Sequence, residues 1–260
     1  MSTSDAVSRP ASRASLPAGF VIGHRGASGH APENTLPAIR RAAELGAPMV
    51  EFDVKLTRSG VPVLLHDDRV DRTTDGRGPA AGFELAALKA LDAGAWFAPA
   101  FARTRIPTLA ETVALLSETG LDANVEIKPC PHREAETAAV VAEELHRLWP
   151  AGKRPPLLSS FEMGSLRTAL SVAPDLPRAL LFEGLPAPHT LDALIGELRP
   201  VALHLWERVI DEDLVAWARL RGLDVRAWTV NDPARAACLH ALGVTAVFTD
   251  FPDRMLSGAG

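Results

Sequence analysis

Short apolar runs rich in Val, Ile and Leu recur along the chain, and between them apolar positions return every three or four residues. The first pattern is that of buried strands and the second that of amphipathic helices. Strand-like runs fall at 20–24, 49–54, 124–127, 157–160, 178–182, 201–205, 224–230 and 246–249. Helical periodicity covers 35–45, 109–119, 133–149, 163–172, 190–198, 211–221 and 233–242. Gly46, Gly120, Gly222 and Gly243 stand just past the last apolar residue of four of these, where a left-handed residue stops a helix. Strand and helix alternate, which predicts βαβ units and a parallel sheet. Eight strands with seven intervening helices, and no GxGxxG after the first strand, predict an α/β fold of the closed (β/α)₈ TIM-barrel type.

One run breaks the count. VPVLL at 61–65 also reads as a strand, yet only TRSG separates it from Val54–Lys55–Leu56. Four residues cannot make a parallel crossover, so these two pieces are expected to form an antiparallel hairpin turning at Ser59–Gly60. The hairpin would carry the chain above the barrel mouth and bring His66 back beside the carboxylates of the second strand. The stretch from about 54 to 107 is too long for an ordinary loop, and reads as a small insertion after strand two on the face where sites of this fold lie.

The 260 residues and 47% apolar composition suit one such barrel, so residues 18–260 are expected to form a single domain. Residues 1–17 are rich in Ser, Ala and Pro without an apolar core, which predicts a disordered tail, not a secretory signal. No run approaches 18 apolar residues, so no membrane span is expected and the cytoplasm is the default location. A net charge of −5 without long single-sign runs points away from nucleic acid and toward a small-molecule partner. Cys130 and Cys238 lack zinc spacing and are expected to be free.

In MVEFDV the side chains alternate, placing Glu51 and Asp53 on one face and Phe52 on the other; the same rule puts Glu126 with Lys128. Three carboxylates converging on a barrel mouth repel unless a cation neutralises them, and oxygen-only ligation suits one divalent cation, Mg²⁺ or Ca²⁺. The plainer reading is ion pairing with Arg25 or Lys128. His24 closes strand one and His66 the returning hairpin arm, so both can face such a metal. Phosphodiester hydrolysis needs a base for the attacking oxygen and an acid for the leaving alkoxide, and imidazole serves either role. Arg25 and Lys128 are candidate phosphate clamps; the chain holds only four lysines, which gives Lys128 some independent weight. Arg25 can also pair with Glu33 and pin the loop. In that loop Asn34 or Thr35 is the expected helix cap and His30 is expected to face solvent. Phe161, Trp206 and Trp228 stand near strand ends and are candidate pocket walls, with His204 and Asn231 as borderline cases.

The blocks IGHRGASGHAPENT, EFDVKLTRSGVPVLLHDD, VEIKP, SSF, AWTVN and FTDFP together resemble the glycerophosphodiester phosphodiesterase family of cytosolic bacterial type. The resemblance implies hydrolysis of diesters such as glycerophosphocholine or glycerophosphoethanolamine to glycerol 3-phosphate and an alcohol. It implies His24 and His66 as the acid–base pair, Glu51, Asp53 and Glu126 as metal ligands, and Arg25 and Lys128 as phosphate contacts. TRSG departs from the Asp-Gly turn common in that family, and His30 from a common aromatic. Neither position belongs to the implied ligand set. The alternatives are a barrel cleaving lysophospholipids or sphingomyelin at the same bond, a silent phosphodiester-binding barrel, and a metal-dependent sugar isomerase; the last would not need the Arg25–Lys128 pair.

Overall fold

The computed structural model describes residues 19–256; the tail expected at 1–17 lies outside them. Eight parallel strands close into a barrel: β1 (Phe20–Gly23), β2 (Met49–Leu56), β4 (Asp122–Ile127), β5 (Leu157–Ser160), β6 (Arg178–Phe182), β7 (Ala202–Trp206), β8 (Asp224–Trp228) and β9 (Ala246–Thr249). Each pairs with its neighbours in that order, and β1 pairs with both β9 and β2 to complete the ring. The helices α1 (Leu36–Glu44), α3 (Leu109–Thr119), α4 (Glu134–Leu148), α5 (Met163–Val172), α6 (Pro188–Leu198), α7 (Glu212–Leu220) and α8 (Pro233–Leu242) connect them, and α9 (Pro252–Leu256) follows β9.

Outward strand residues meet the inward stripes of the helices. Phe52, Val54, Val125 and Leu158 pack with Leu109, Leu116, Val141 and Leu145 on one side of the ring. Leu203, Leu205, Val225 and Val247 pack with Leu191, Val215 and Leu239 on the other. Each such side chain contributes roughly 1.5–3 kcal/mol when fully buried. Helix ends follow the sequence. Thr108 and Glu111 make a reciprocal capping box on α3, Gly120 closes it in the left-handed conformation, and Thr35, not Asn34, caps α1. Strand β8 stops at Trp228 instead of 230.

The hairpin forms where geometry leaves room for it. β1 is four residues long and pairs with β2 only at Met49 and Val50, so the edge of β2 above it is open. Strand β3 (Pro62–Leu64) takes that edge antiparallel, pairing Val54 with Leu64 and Leu56 with Pro62. The segment that follows, with α2 (Leu85–Ala90), gathers over its own apolar cluster of Val63, Leu65, Val70, Leu88, Ala93 and Ile106. Cys130 is buried against that cluster, Cys238 is exposed, and both are free. Among the described residues, no helix is long and apolar enough to cross a membrane.

Candidate active site

At the C-terminal mouth of the barrel, β2 and β4 run parallel with Asp53 beside Glu126 in register. Glu51, Asp53 and Glu126 are buried, and one oxygen from each lies within 4.8 Å of the others. The three are not equally neutralised. Arg25 Nε is 3.3 Å from Asp53 Oδ2, Asn34 Nδ2 donates to the same oxygen at 2.8 Å, and Lys128 Nζ donates to Glu126 Oε1 at 2.8 Å. Glu51 Oε2 accepts from the Arg25 backbone N–H, but Glu51 Oε1 is buried without a partner. Ion pairing alone therefore does not satisfy the cluster. Burial pushes Glu51 well above the ordinary carboxylate range, with Asp53 and Glu126 adding to the effect. Glu126 is pushed up to about 7 by burial and Asp53, against the pull of Lys128. Asp53 lies below its ordinary value despite burial, because Arg25, His66 and Lys128 surround it. Two carboxyls forced toward protonation beside a charged third, with an orphaned oxygen facing them, fit a hard divalent cation of the Mg²⁺ or Ca²⁺ kind.

Two histidines line the cavity over this cluster, and each rests on a carboxylate. His24 Nδ1 lies 2.7 Å from Asp250 Oδ1. A carboxylate accepts, so Nδ1 holds the proton and Nε2 is left for the cleft. Asp250 also accepts from Ser28 Oγ and Asn231 Nδ2; burial works against its charge, yet these contacts and His24 bring it down to about 2. His66 Nδ1 lies 2.8 Å from Asp67 Oδ1. Arg72 donates to both oxygens of Asp67 and to both of Glu33, and Glu33 in turn accepts from Arg25 at 2.7 Å. Burial, with Arg25 and Lys128 nearby, draws the His66 ring below its ordinary value, against Asp53 and Asp67.

The turn after β1 is built to place these groups. Arg25 and Asn34 take positive φ of 52° and 56°, conformations that are uncommon away from glycine. Gly26, at φ 87°, lies against α1 so closely that a Cβ would fall 2.6 Å from the Ala38 carbonyl carbon. Both arginine functions follow: its N–H reaches Glu51 while its guanidinium spans Glu33 and Asp53. The expected Arg25–Glu33 pair is thus present together with the contact to the cluster.

Two cavities open over the carboxylates and share His66, Glu126, Lys128 and Phe161 as lining. The outer one, about 350 Å³, also touches Asp67, Asp68 and Glu162. The deeper one, about 280 Å³, is walled by Trp228 and Phe161 and reaches His204 and Phe248 inside the barrel. Phe161 and Trp228 meet edge to face at 5.6 Å, and Lys128 Nζ stands 5.1 Å from the Phe161 ring centre. Two expectations are corrected. Trp206 does not line either cavity; Arg208 sits 5.2 Å over its ring instead. His30 is half-buried, with Nε2 2.7 Å from Asp253 Oδ1 and its ring edge-on to Phe251, because α9 packs back over that loop. Asp250, Asp67 and Arg72 were not singled out from the sequence. The only sequence signal for Asp67 is its place in HDD, and for Asp250 its place in FTDFP at the end of the last strand. Buried Lys55, which donates to Asp68 Oδ1 at 2.8 Å and to the Lys128 carbonyl, was also missed.

A model of the glycerophosphoryl diester phosphodiesterase family matches residues 24–254. A glycerophosphodiester phosphodiesterase of Caldanaerobacter subterraneus is 36% identical over 243 residues, covering 92% of this chain and 96% of its own. One of Bacillus subtilis is 31% identical over 249 residues, covering 90% and 84%. An Oleispira antarctica phosphodiesterase, solved in complex with the product sn-glycerol-3-phosphate, superposes with a TM-score of 0.88 at 38% identity, over 93% of this chain and 96% of that one. The closed barrel, the acid cluster at its mouth and these matches agree, and the chain belongs to the glycerophosphoryl diester phosphodiesterase family of phosphoric diester hydrolases.

Proposed function

We propose that this protein hydrolyses water-soluble glycerophosphodiesters, such as glycerophosphocholine and glycerophosphoethanolamine, to glycerol 3-phosphate and an alcohol, with one divalent cation and His24 and His66 as the acid–base pair. The observation that carries the reading is the orphaned Glu51 Oε1 within a three-carboxylate cluster flanked by two histidines, each oriented by its own carboxylate. Glu51, Asp53 and Glu126 would hold the cation, Mg²⁺ or Ca²⁺; when bound it offsets negative charge on the phosphoryl group. Arg25 and Lys128 lie beside the same cluster and would fix the phosphate oxygens, the guanidinium as a fork and the ammonium as a point charge. His24 and His66 line one cavity with Nδ1 held by a carboxylate, so Nε2 of one would take the proton of the attacking oxygen while the other gives one to the departing alkoxide. Phe161 and Trp228 close the wall around the diester and exclude water from its flank. Two braced histidines favour turnover over silent binding, since a binding protein needs no proton acceptor and donor.

The test is release of glycerol 3-phosphate from glycerophosphocholine by the purified chain, with EDTA and then with Mg²⁺ or Ca²⁺ restored. Product that appears only with metal is expected. Folded protein that yields no product under either metal overturns the reading.

A further inference from the structure

Two consecutive aspartates follow His66 in LLHDD, and each is held by a cation. Asp67 is joined through Arg72 to Glu33, and Glu33 to Arg25. Asp68 is held by Lys55, which the proposed reaction does not use: Oδ1 accepts from Lys55 Nζ at 2.8 Å, and the same Nζ donates to the Lys128 carbonyl at 3.1 Å. Lys55 is the third residue of β2, after Glu51 and Asp53, in the file that alternation turns inward. Its side chain is 1% exposed, although the carboxylate it pairs with is 56% exposed. Taking an ammonium out of water is costly, and a carboxylate left half in water offsets little of that. Opposite Lys55 on β3 is Val63, part of the apolar cluster of the insertion, beside which an unbranched apolar side chain would sit without the cost. Stability alone does not account for a lysine here.

Its contacts do account for it. The β2–β4 ladder ends at Val54 and Ile127, after which the Lys128 N–H still reaches the Val54 carbonyl. Pro129 follows and has no N–H to give. The Lys128 carbonyl thus lies past the ladder, and Lys55 is the donor that holds it to β2. On the hairpin side, the Leu65 N–H reaches the Asp53 carbonyl one residue before His66, and two residues after His66 Asp68 ties the chain to β2 again. One buried ammonium therefore spans the segment that carries His66 and the peptide that carries Lys128.

We propose that Lys55 is a positioning residue whose ammonium fixes His66 relative to Lys128, so that the ring that moves a proton and the side chain that holds phosphate meet one phosphoryl group together. It acts on the first through Asp68 and on the second through the Lys128 carbonyl. This rests on the phosphodiesterase reading for what His66 and Lys128 do.

Two variants separate the arms. Lys55→Met keeps an unbranched side chain and removes the ammonium; Asp68 is left in water, so no buried carboxylate is stranded. Asp68→Ala cuts the hairpin arm alone and changes an exposed side chain. For the intact chain, each variant and the double variant, kcat on glycerophosphocholine with Mg²⁺ is measured per folded protein, and affinity for inorganic phosphate with Mg²⁺ by calorimetry. Lys55→Met is expected to lower kcat at least about tenfold, since misplacing a reacting group by ~1 Å costs up to ~10²-fold. It should also weaken phosphate about fivefold, the effect of one impaired hydrogen bond. Asp68→Ala should lower kcat similarly and leave phosphate within about twofold, and the double variant should match Lys55→Met, because both losses pass through one ammonium. A folded Lys55→Met chain with the parent kcat and phosphate affinity overturns the proposal, as do an Asp68→Ala chain with the parent kcat and losses that multiply in the double variant. An intact chain that binds phosphate but releases no product removes the hydrolytic reading; phosphate affinity then decides alone, weakened in Lys55→Met if Lys55 holds Lys128 and unchanged if it does not.

Discussion

His24 and His66 each rest on a carboxylate, but the two supports differ in kind. Asp250 is enclosed by Ser28, Asn231 and His24, whereas Asp67 hangs on the half-exposed Arg72, which holds Glu33 as well. His24→Ala or His66→Ala should leave the fold intact and lower turnover by at least ~10²-fold. Asp250→Asn should do nearly the same with little change in KM, because an amide can turn its N–H to His24 Nδ1 and no longer holds the proton there as the carboxylate does. Turnover close to that of the parent chain in these variants would remove the histidine from the acid–base role. At this scale the sequence was legible where alternation decides which face a side chain takes, as for Glu51, Asp53, Glu126 and Lys128. It was silent where a contact depends on the final path of the chain. Asp250 lies 226 positions from His24, and no period or spacing links them. His30 failed for the same reason, since its partner Asp253 belongs to a short terminal helix that carries no apolar repeat.

The elements that matter most are the turn after β1 and the β2–β3 hairpin. Both depend on backbone geometry that composition announces only in part. TRSG announces the hairpin, and Gly60 at φ 82° supplies its turn. The insertion's helix α2 went unread because six residues are too few to show a helical period. The close approach of Gly26 to Ala38 could not be seen in GHRG either. Gly26→Ala should destabilise the protein by roughly 1–3 kcal/mol, from the left-handed backbone alone, and by more if α1 is pushed outward. The check is chemical denaturation, together with metal affinity, since α1 moves with Asn34 and Arg25. A variant with the parent midpoint and metal affinity would show that the turn yields without strain.

For the whole molecule, the carboxylate cluster ties stability to protons and metal. Burial and Asp53 raise Glu126 from an ordinary 4.5 to about 7, and Glu51 moves in the same direction. A raised carboxyl favours the folded state below its unfolded pKa, and that contribution is lost as pH rises through the folded one. The metal-free chain should therefore lose part of its stability between about pH 4.5 and 7. Metal replaces those protons, so the rise in Tm on adding Mg²⁺ to EDTA-treated protein should be larger at pH 8 than at pH 5. At pH 8 and saturating metal it should be roughly 5–10 °C. An equal rise at both pH values would separate the cluster from the metal. The barrel itself was legible because its eight strands and the seven helices between them each keep the period of their own type, and local and global preferences agree.

Strand β3 borrows its hydrogen bonds from the part of β2 that rises past β1, so His66 hangs from an appendage while all three carboxylates of the cluster stand on staves of the ring itself. Holding an ion and performing chemistry are then divisible by a single cut. Trypsin acting after the exposed Arg77, between that appendage and α3, is expected to leave a nicked protein that still titrates with metal but no longer turns over. Loss of both together would mean that the ring cannot keep its shape without the piece it carries.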